Sequence, residues 1–481
     1  MRRILAAVLL AGFAVRAADW PRFRGPNGSG VSDARDLPAE IGPEKNLAWR
    51  VKTPAGASSP VVAGGRLYVT AHEGDERVVL CLDARTGEQL WRRAVKRERA
   101  EPFNPTHGPA TPTPVTDGSN VYVFFPEVGL LAYDAAGKEK WRTPLGPFRS
   151  VQGVATSPVL AAGNVVLLMD QTAESWVAAF DAATGKQKWK TGRVSGFLGG
   201  YSTPIVWEPE GGPAQVIASG ALQVTGYQAD TGEALWWITG LTNGPAAAPV
   251  LAGGRLYVSD LPGEASPPFS SMLALDKNKD GKIALDELGD PVMVRLFESI
   301  DREFGNKDAV VEDSEWSKSF GSFAGRGGLA AVRLGGRGDL TSRVEWRNTK
   351  GIAYVPSPLV YDGLVYNLRD GGVVTAVEAA SGAEIKQARL PEALGSYYAS
   401  PVAADGKVYF LSEAGKVTVV KAGRDLETLG SADLGAKCYA TPAIADGRIY
   451  VRTADSVWCF ARAATPPRSP KSSQSPKRPG A

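Results

Sequence analysis

Cysteine and histidine are close to absent. In 481 residues there are three widely separated cysteines, Cys81, Cys438 and Cys459, and two histidines, His72 and His107. That scarcity argues against a disulfide framework and against Cys/His zinc sites. An excess of one charge is also missing, since Lys plus Arg number 54 and Asp plus Glu 51. Arg2, Arg3 and Arg16 fall within residues 1–18, which hold no acid, so without that segment the two signs balance. Nothing suits a polyanionic partner, and no nucleic-acid binding is expected. Long hydrophobic runs are lacking as well. The longest, Ile4 to Val15, falls short of the roughly 20 apolar residues that span a bilayer, so no transmembrane segment is expected. No Gly-rich phosphate cradle and no nucleophile elbow occur.

What is present is a turn-rich chain, with 55 glycines, 34 prolines and 43% hydrophobic residues, enough for a sizeable core. Residues 1–18 pair a basic start with an apolar run and small residues at Val15, Ala17 and Ala18, the pattern of a signal peptide. Export to the periplasm or beyond follows, and no cysteine after the cleavage point could carry a lipid. Residues 463–481 read AATPPRSPKSSQSPKRPGA, a basic Pro/Ser-rich composition expected to be disordered.

A small residue followed by proline recurs eight times, at Ser59-Pro60, Thr113-Pro114, Ser157-Pro158, Thr203-Pro204, Ala248-Pro249, Ser357-Pro358, Ser400-Pro401 and Thr441-Pro442. The prolines lie 54, 44, 46, 45, 109, 43 and 41 residues apart, so the period is near 45 with one enlarged interval. Each copy continues into a hairpin, such as Val61-Val62-Ala63-Gly64-Gly65-Arg66-Leu67-Tyr68-Val69. A third strand then leads through a turn that holds glycine to a tryptophan strand, as in Leu82 to Trp91, Asp134 to Trp141 and Asp181 to Trp189. Four strands per period make a propeller blade.

The eighth copy stops at Cys459-Phe460 without a tryptophan strand of its own, while Asn46-Leu47-Ala48-Trp49-Arg50-Val51 precedes the first copy with no blade to join. If residues 46–52 complete the last blade, the ring closes without an exposed edge. The fold class is therefore all-β, an eight-bladed β-propeller over residues 46–462, preceded by an N-terminal segment at 19–45.

The repeated Asp/Ala-x-x-(Thr)-Gly-(Lys/Glu)-x-x-Trp unit resembles that of the pyrroloquinoline quinone (PQQ) repeat family of eight-bladed propellers. The opening Asp19-Trp20-Pro21-Arg22-Phe23-Arg24-Gly25-Pro26 is similar to the start of exported bacterial members. The resemblance implies one of two activities: a quinoprotein dehydrogenase holding PQQ and calcium, or a non-catalytic propeller such as the lipoprotein of the outer-membrane β-barrel assembly machine. The large alcohol dehydrogenases carry a disulfide between adjacent cysteines, and no two cysteines are neighbours here. No catalytic residue is carried over, and no PQQ of its own is expected.

The enlarged interval, residues 262–326, contains Asp276-Lys277-Asn278-Lys279-Asp280-Gly281-Lys282-Ile283-Ala284-Leu285-Asp286-Glu287, a full match to the EF-hand calcium loop. Calcium wants six to eight oxygens. Asp276, Asn278 and Asp280 offer theirs through side chains, Lys282 through its carbonyl, Ala284 by way of water, and Glu287 with both carboxylate oxygens. The competing reading makes Met272-Leu273-Ala274-Leu275-Asp276 the third strand of a blade, although Leu329 to Arg333 and Trp346 supply such strands further on. A helix pattern follows, with Pro291 in its first turn and Val292, Met293, Leu296, Phe297 and Ile300 on one face. A second, degenerate loop lies at 301–315. Starting it at Asp301 puts Asp308 on an apolar position, and starting at Phe304 loses the first ligand. Asn306, Asp308, Glu312 and Glu315 are its candidate ligands.

Tyr201, Tyr354, Tyr397, Tyr398 and Tyr439 each precede an inner-strand proline by three or four residues. These rings either collar one mouth of the channel, gripping a planar cofactor, a sugar or a peptide, or pack between blades. His107, in a loop, offers a base or is simply a loop histidine. The reading is an exported, monomeric, non-catalytic binding or scaffold protein with an α-helical EF-hand-like insert in blade 5 and an unknown protein, peptide or polymer ligand. The alternative is a PQQ-dependent dehydrogenase oxidising alcohols or sugars.

Overall fold

The computed structural model describes residues 19–462 apart from 105, 107, 151, 173, 195–198, 243, 263–267 and 322–326. The leader at 1–18, the tail at 463–481 and His107 lie outside the described residues. Eight sheets of antiparallel strands surround one axis. Blade 1 is formed by Val61–Ala63, Arg66–Glu73, Glu76–Asp83 and Gln89–Lys96 in that order from the axis outward. Blades 2, 3, 4, 6 and 7 repeat the pattern, opening at Val115, Val159, Ile205, Leu359 and Val402. In blade 8, Leu47–Lys52 pairs antiparallel with Ser456–Ala461, so the two ends of the propeller share one sheet.

Proline lacks an N–H and is tolerated at the start of a strand, and each Ser/Thr/Ala-Pro unit sits immediately before the innermost strand of its blade. The residue before it does the work of closing the ring. Ser59 N–H donates to Thr113 Oγ1 (3.0 Å), Thr113 to Ser157 (3.0 Å), Ser157 to Thr203 (3.1 Å), Ala248 to Ser357 (2.9 Å), Ser357 to Ser400 (3.0 Å), Ser400 to Thr441 (3.0 Å) and Thr441 back to Ser59 (3.0 Å). One link is missing, from Thr203 to residue 248, because alanine has no hydroxyl.

At the rim the tryptophans join neighbouring blades. The indoles of Trp49, Trp91, Trp141, Trp189 and Trp346 donate to the carbonyls of Ala84, Ala135, Ala182, Ala229 and Ala379 in the next blade. Each ring also lies flat on that blade's turn glycine, where a Cβ would collide with it. Trp236 departs from the rule. It sits over Gly226 of its own blade, and its indole bonds Gln215 at 2.7 Å. Gly338–Asp339 from blade 5 adds a short parallel strand beside it. Gly338–Asp339 thus contributes a fifth strand to blade 4.

In blade 5 the second strand, Arg255–Asp260, pairs directly with Gly328–Arg333, so Leu273–Leu275 is not a blade strand but a short 3-10 turn in the insert. This overturns the blade reading of Met272 to Asp276. The insert has its own core of Phe269, Ile283, Leu288, Phe297, Ile300, Val311 and Trp316. Its helices are α1 (Pro291–Phe304) and α2 (Asp313–Gly321). Among the described residues no helix is long and apolar enough to cross a membrane.

Candidate functional site: an axial cavity and a two-loop insert

Residues 19–32 form a strap across one end of the channel. Trp20 exchanges backbone hydrogen bonds with Val62 of blade 1, Pro21 accepts from Thr116 of blade 2, Asn27 bonds Val206 of blade 4, and Gly30 accepts from Ala403 of blade 7. Arg22 and Arg24 are buried beneath the axis, donating to the carbonyls of Pro204 in blade 4 and Pro358 in blade 6. Among the described residues no carboxylate is paired with either, and burial pulls both guanidinium pKa values down to about 9, so they stay protonated at neutral pH. Phe23, between them, forms part of the floor of an axial cavity of about 710 Å³.

The walls of that cavity are the seven ring hydroxyls and all five tyrosines singled out in the sequence. Tyr397 is buried, its hydroxyl donating to Ala393 O; Tyr354 is 48% exposed at the mouth. The rings of Tyr398 and Tyr439 meet edge to face at 5.5 Å, and the Tyr439 hydroxyl donates to Glu413. Burial raises the pKa of every one of these phenols, so they remain neutral hydrogen-bonding groups. Arg369 and Asp370 are the charged lining residues. Around the mouth stand exposed apolar side chains: Leu261 in the lining, Phe103 beside Asn104, and Leu394, 72% exposed, in the loop bonded to Gly371. Such an arrangement binds and orients. It offers no thiol, since Cys81, Cys438 and Cys459 are buried elsewhere with their pKa values pushed up to about 12.

The structure brings Asp276, Asn278, Asp280, Lys282 and Glu287 into one tightly wound loop. Asp276 accepts N–H bonds from Lys279 (2.6 Å) and Gly281 (2.9 Å), and Glu287 from Lys277, Asn278 and Ala284 (2.9, 3.0 and 2.8 Å). Gly281 is at φ +82°, as the sharp bend at that position requires. The Lys282 ammonium turns away to Glu312 at 2.5 Å. Among the described residues, no group of three or more His, Cys, Asp or Glu side chains is gathered tightly enough to hold a metal as it stands. The donor set is all hard oxygen and fits calcium by chemistry.

The second loop repeats the first. Asn306, Asp308 and Glu315 hold the places of Asn278, Asp280 and Glu287, with Ala309 (φ +65°) in the glycine's place. The first acid, absent from the Phe304 register, is supplied from helix α1: Asp301 accepts from Lys307 (2.7 Å) and Ala309 (2.9 Å) as Asp276 does from its loop. Ile283↔Val311 and Ala284↔Val310 pair the two loops. Sequence reasoning missed Asp301 in this role, together with the ring hydroxyls and the buried strap arginines. The Ser/Thr identity at seven of the eight repeat positions was the available signal.

A closed ring of PQQ-type blades around a collared, floored cavity defines a repeat propeller. The chain belongs to the PQQ_2 family, described as outer membrane protein assembly factor BamB, whose model matches residues 41–201, 173–337 and 370–465. The assembly factor BamB of Burkholderia pseudomallei (strain K96243) is 24% identical over 390 residues, covering 75% of this chain and 88% of that protein. The crystal structure of BamB from Moraxella catarrhalis superposes with a TM-score of 0.53 at 13% identity, covering 87% of this chain and 99% of that one. Quinohemoprotein alcohol dehydrogenase from Comamonas testosteroni superposes with a TM-score of 0.59 at 15% identity, covering 95% and 82%.

Proposed function

We propose that this chain is an exported, non-catalytic binding propeller of the bacterial envelope, acting in the periplasm or secreted from it. It holds a protein or peptide partner at its tyrosine-rimmed mouth, and calcium in the loop of Asp276, Asn278, Asp280, Lys282 and Glu287 stiffens the blade 5 insert. The observation that carries the reading is the form of the axial cavity. It is floored at one end by the strap, open at the other, walled by hydroxyls and neutral phenols, and rimmed by exposed apolar side chains. Aromatic rings with a polar tip suit protein recognition. The membership in the assembly-factor family favours a part in outer membrane protein assembly.

The likeness to quinohemoprotein alcohol dehydrogenase favours a second reading, PQQ-dependent oxidation of alcohols or sugars. The lining fits it poorly. Asp370 is the one carboxylate among the described cavity-lining residues, its Oδ1 already accepts the Tyr397 N–H at 2.8 Å, and no cysteine pair lies against the cavity.

The two readings part in a strain lacking the chain. Folded outer membrane proteins should fall in amount and recover on complementation, and the purified protein given PQQ, calcium and alcohols or sugars should reduce no dye. Unchanged outer membrane protein levels, or substrate-dependent dye reduction, would overturn the assembly reading.

A further inference from the structure

The seven hydroxyls of the inner ring have an unusual balance of donors and acceptors. Each oxygen already accepts a backbone N–H from the preceding blade, and within the described residues none of the seven donates its own O–H. All seven line the axial cavity, so each keeps an uncommitted O–H donor, beside one remaining lone pair, to offer a ligand there.

Charge points the same way. Thr203 and Ser357 are followed directly by Pro204 and Pro358, whose carbonyls accept from Arg22 and Arg24. The carbonyls that hold the two guanidiniums therefore lie about one residue's rise, roughly 3.3 Å along the strand, from the ring positions. Both are buried, and Arg24 Nε and Nη1 and Arg22 Nε have no protein partner. Higher in the same cavity, Arg369 presents a buried Nε that is also without a partner, beside Asp370, the one carboxylate among the described lining residues. Buried cations without a counter-charge are costly and favour an anion nearby.

We propose that the floor of the axial cavity, the ring of Ser59, Thr113, Ser157, Thr203, Ser357, Ser400 and Thr441 above Phe23, is an oxyanion site that takes the carboxylate or phosphate group of a ligand entering by the tyrosine mouth. The oxyanion accepts several O–H bonds at once, and the field of the strap arginines holds it there. The idea names the ligand chemistry of the cavity and rests on the binding-protein reading above. The two fail separately, since dye reduction or intact outer membrane protein levels say nothing about anion affinity.

Ala248 provides the test, because it is the one ring position without a hydroxyl. Ala248→Ser adds an eighth donor without removing any group, and its oxygen can accept the N–H of Thr203. Thermal unfolding of the full chain would be followed against sodium phosphate, sodium acetate, and acetyl-Gly-Gly-Tyr as the free acid and as the amide, each at ionic strength matched with sodium chloride. Anions that bind the native state raise Tm with concentration. Oxyanions should raise it above chloride, and Ala248→Ser should tighten their binding by roughly three- to tenfold, the worth of one added hydrogen bond. Phosphate or acetate binding as well as the peptide acid identifies a free anion; the peptide acid binding better than both its amide and acetate identifies a ligand's terminal carboxylate. Stabilisation no greater than chloride gives, or an affinity that Ala248→Ser leaves unchanged, overturns the site.

Discussion

In blade 3 two turn residues lie in left-handed conformations with opposite side-chain endowments. Gly185, at φ +72°, carries the Trp141 ring on its face, and a Cβ there would stand 2.5 Å from the indole. Ala162, at φ +47°, opens the hairpin turn completed by Gly163 at φ +73°, in a place where blades 1 and 5 have glycine and blades 6, 7 and 8 have aspartate. A left-handed alanine costs about 1–2 kcal/mol, and forcing a methyl into packed contact costs about 1–3 more. Gly185→Ala should therefore destabilise the protein by about 2–4 kcal/mol, whereas Ala162→Gly should stabilise it slightly, by a few tenths to about 1 kcal/mol, the glycine's own unfolded-state entropy offsetting part of the relief. Denaturant melts of the two variants would check this. Equal and small shifts for both would mean that the indole-on-glycine contact contributes little to joining blades.

At the scale of the element, the insert is a small unit with its own core, hung between two strands of blade 5. It reaches back to the propeller through Arg302, whose guanidinium donates to Thr172 O of blade 3 at 3.1 Å. Each Glu287 oxygen is presented to the loop by backbone N–H groups, so a calcium ion would meet a pre-set carboxylate. With three formal negative charges among the ligands and lysines at 277, 279 and 282, affinity should be modest, about 10⁻⁵ to 10⁻³ M. Limited proteolysis within the insert should slow in calcium relative to chelator, and Glu287→Gln should abolish the difference. Cleavage at one rate in calcium and in chelator, for wild type and variant alike, would sink calcium binding. The first loop was legible in the sequence because its ligands follow one spacing on one contiguous segment. The second was not, because its first acid, Asp301, comes from the preceding helix turn, outside the motif's register. The blades were legible for a related reason: period-2 strands and Thr-Gly turns are local signals. The strap was opaque, because Arg22 and Arg24 bond carbonyls 182 and 334 residues away. So was the outward strand at Gly338, since alternation in sequence says nothing about which blade a two-residue strand will join.

For the whole molecule, the question is what keeps a ring of eight similar sheets from opening. Adjacent blades are held by the inner hydrogen-bonded ring, with one link missing at Ala248, and by tryptophans at the rim. At the junction of blades 8 and 1 the rim contact is made by the strand nearest the N-terminus: Trp49 donates to Ala84 O at 3.2 Å and lies on Gly87. The same strand supplies the outer edge of blade 8, with Arg50 stacked 4.0 Å over Trp458. Removing residues 19–52 therefore does three things at once. It unpairs Ser456–Ala461 and leaves an open sheet edge available to other chains, it strips the indole from the blade 1 turn, and it takes the strap from under blades 1, 2, 4, 6 and 7. Removing 19–45 alone would take the strap and the buried Leu37 and Ile41 side chains but leave the last sheet paired. The shorter deletion should give a monomer with a lowered melting temperature, and the longer one a chain that aggregates or melts without cooperativity, as judged by light scattering and calorimetry. A monomer of unchanged melting temperature after the longer deletion would show that the ring holds without its closing strand. Closure would then rest on the inner hydroxyl ring, whose Thr441-to-Ser59 link joins blades 8 and 1 independently of the N-terminal segment.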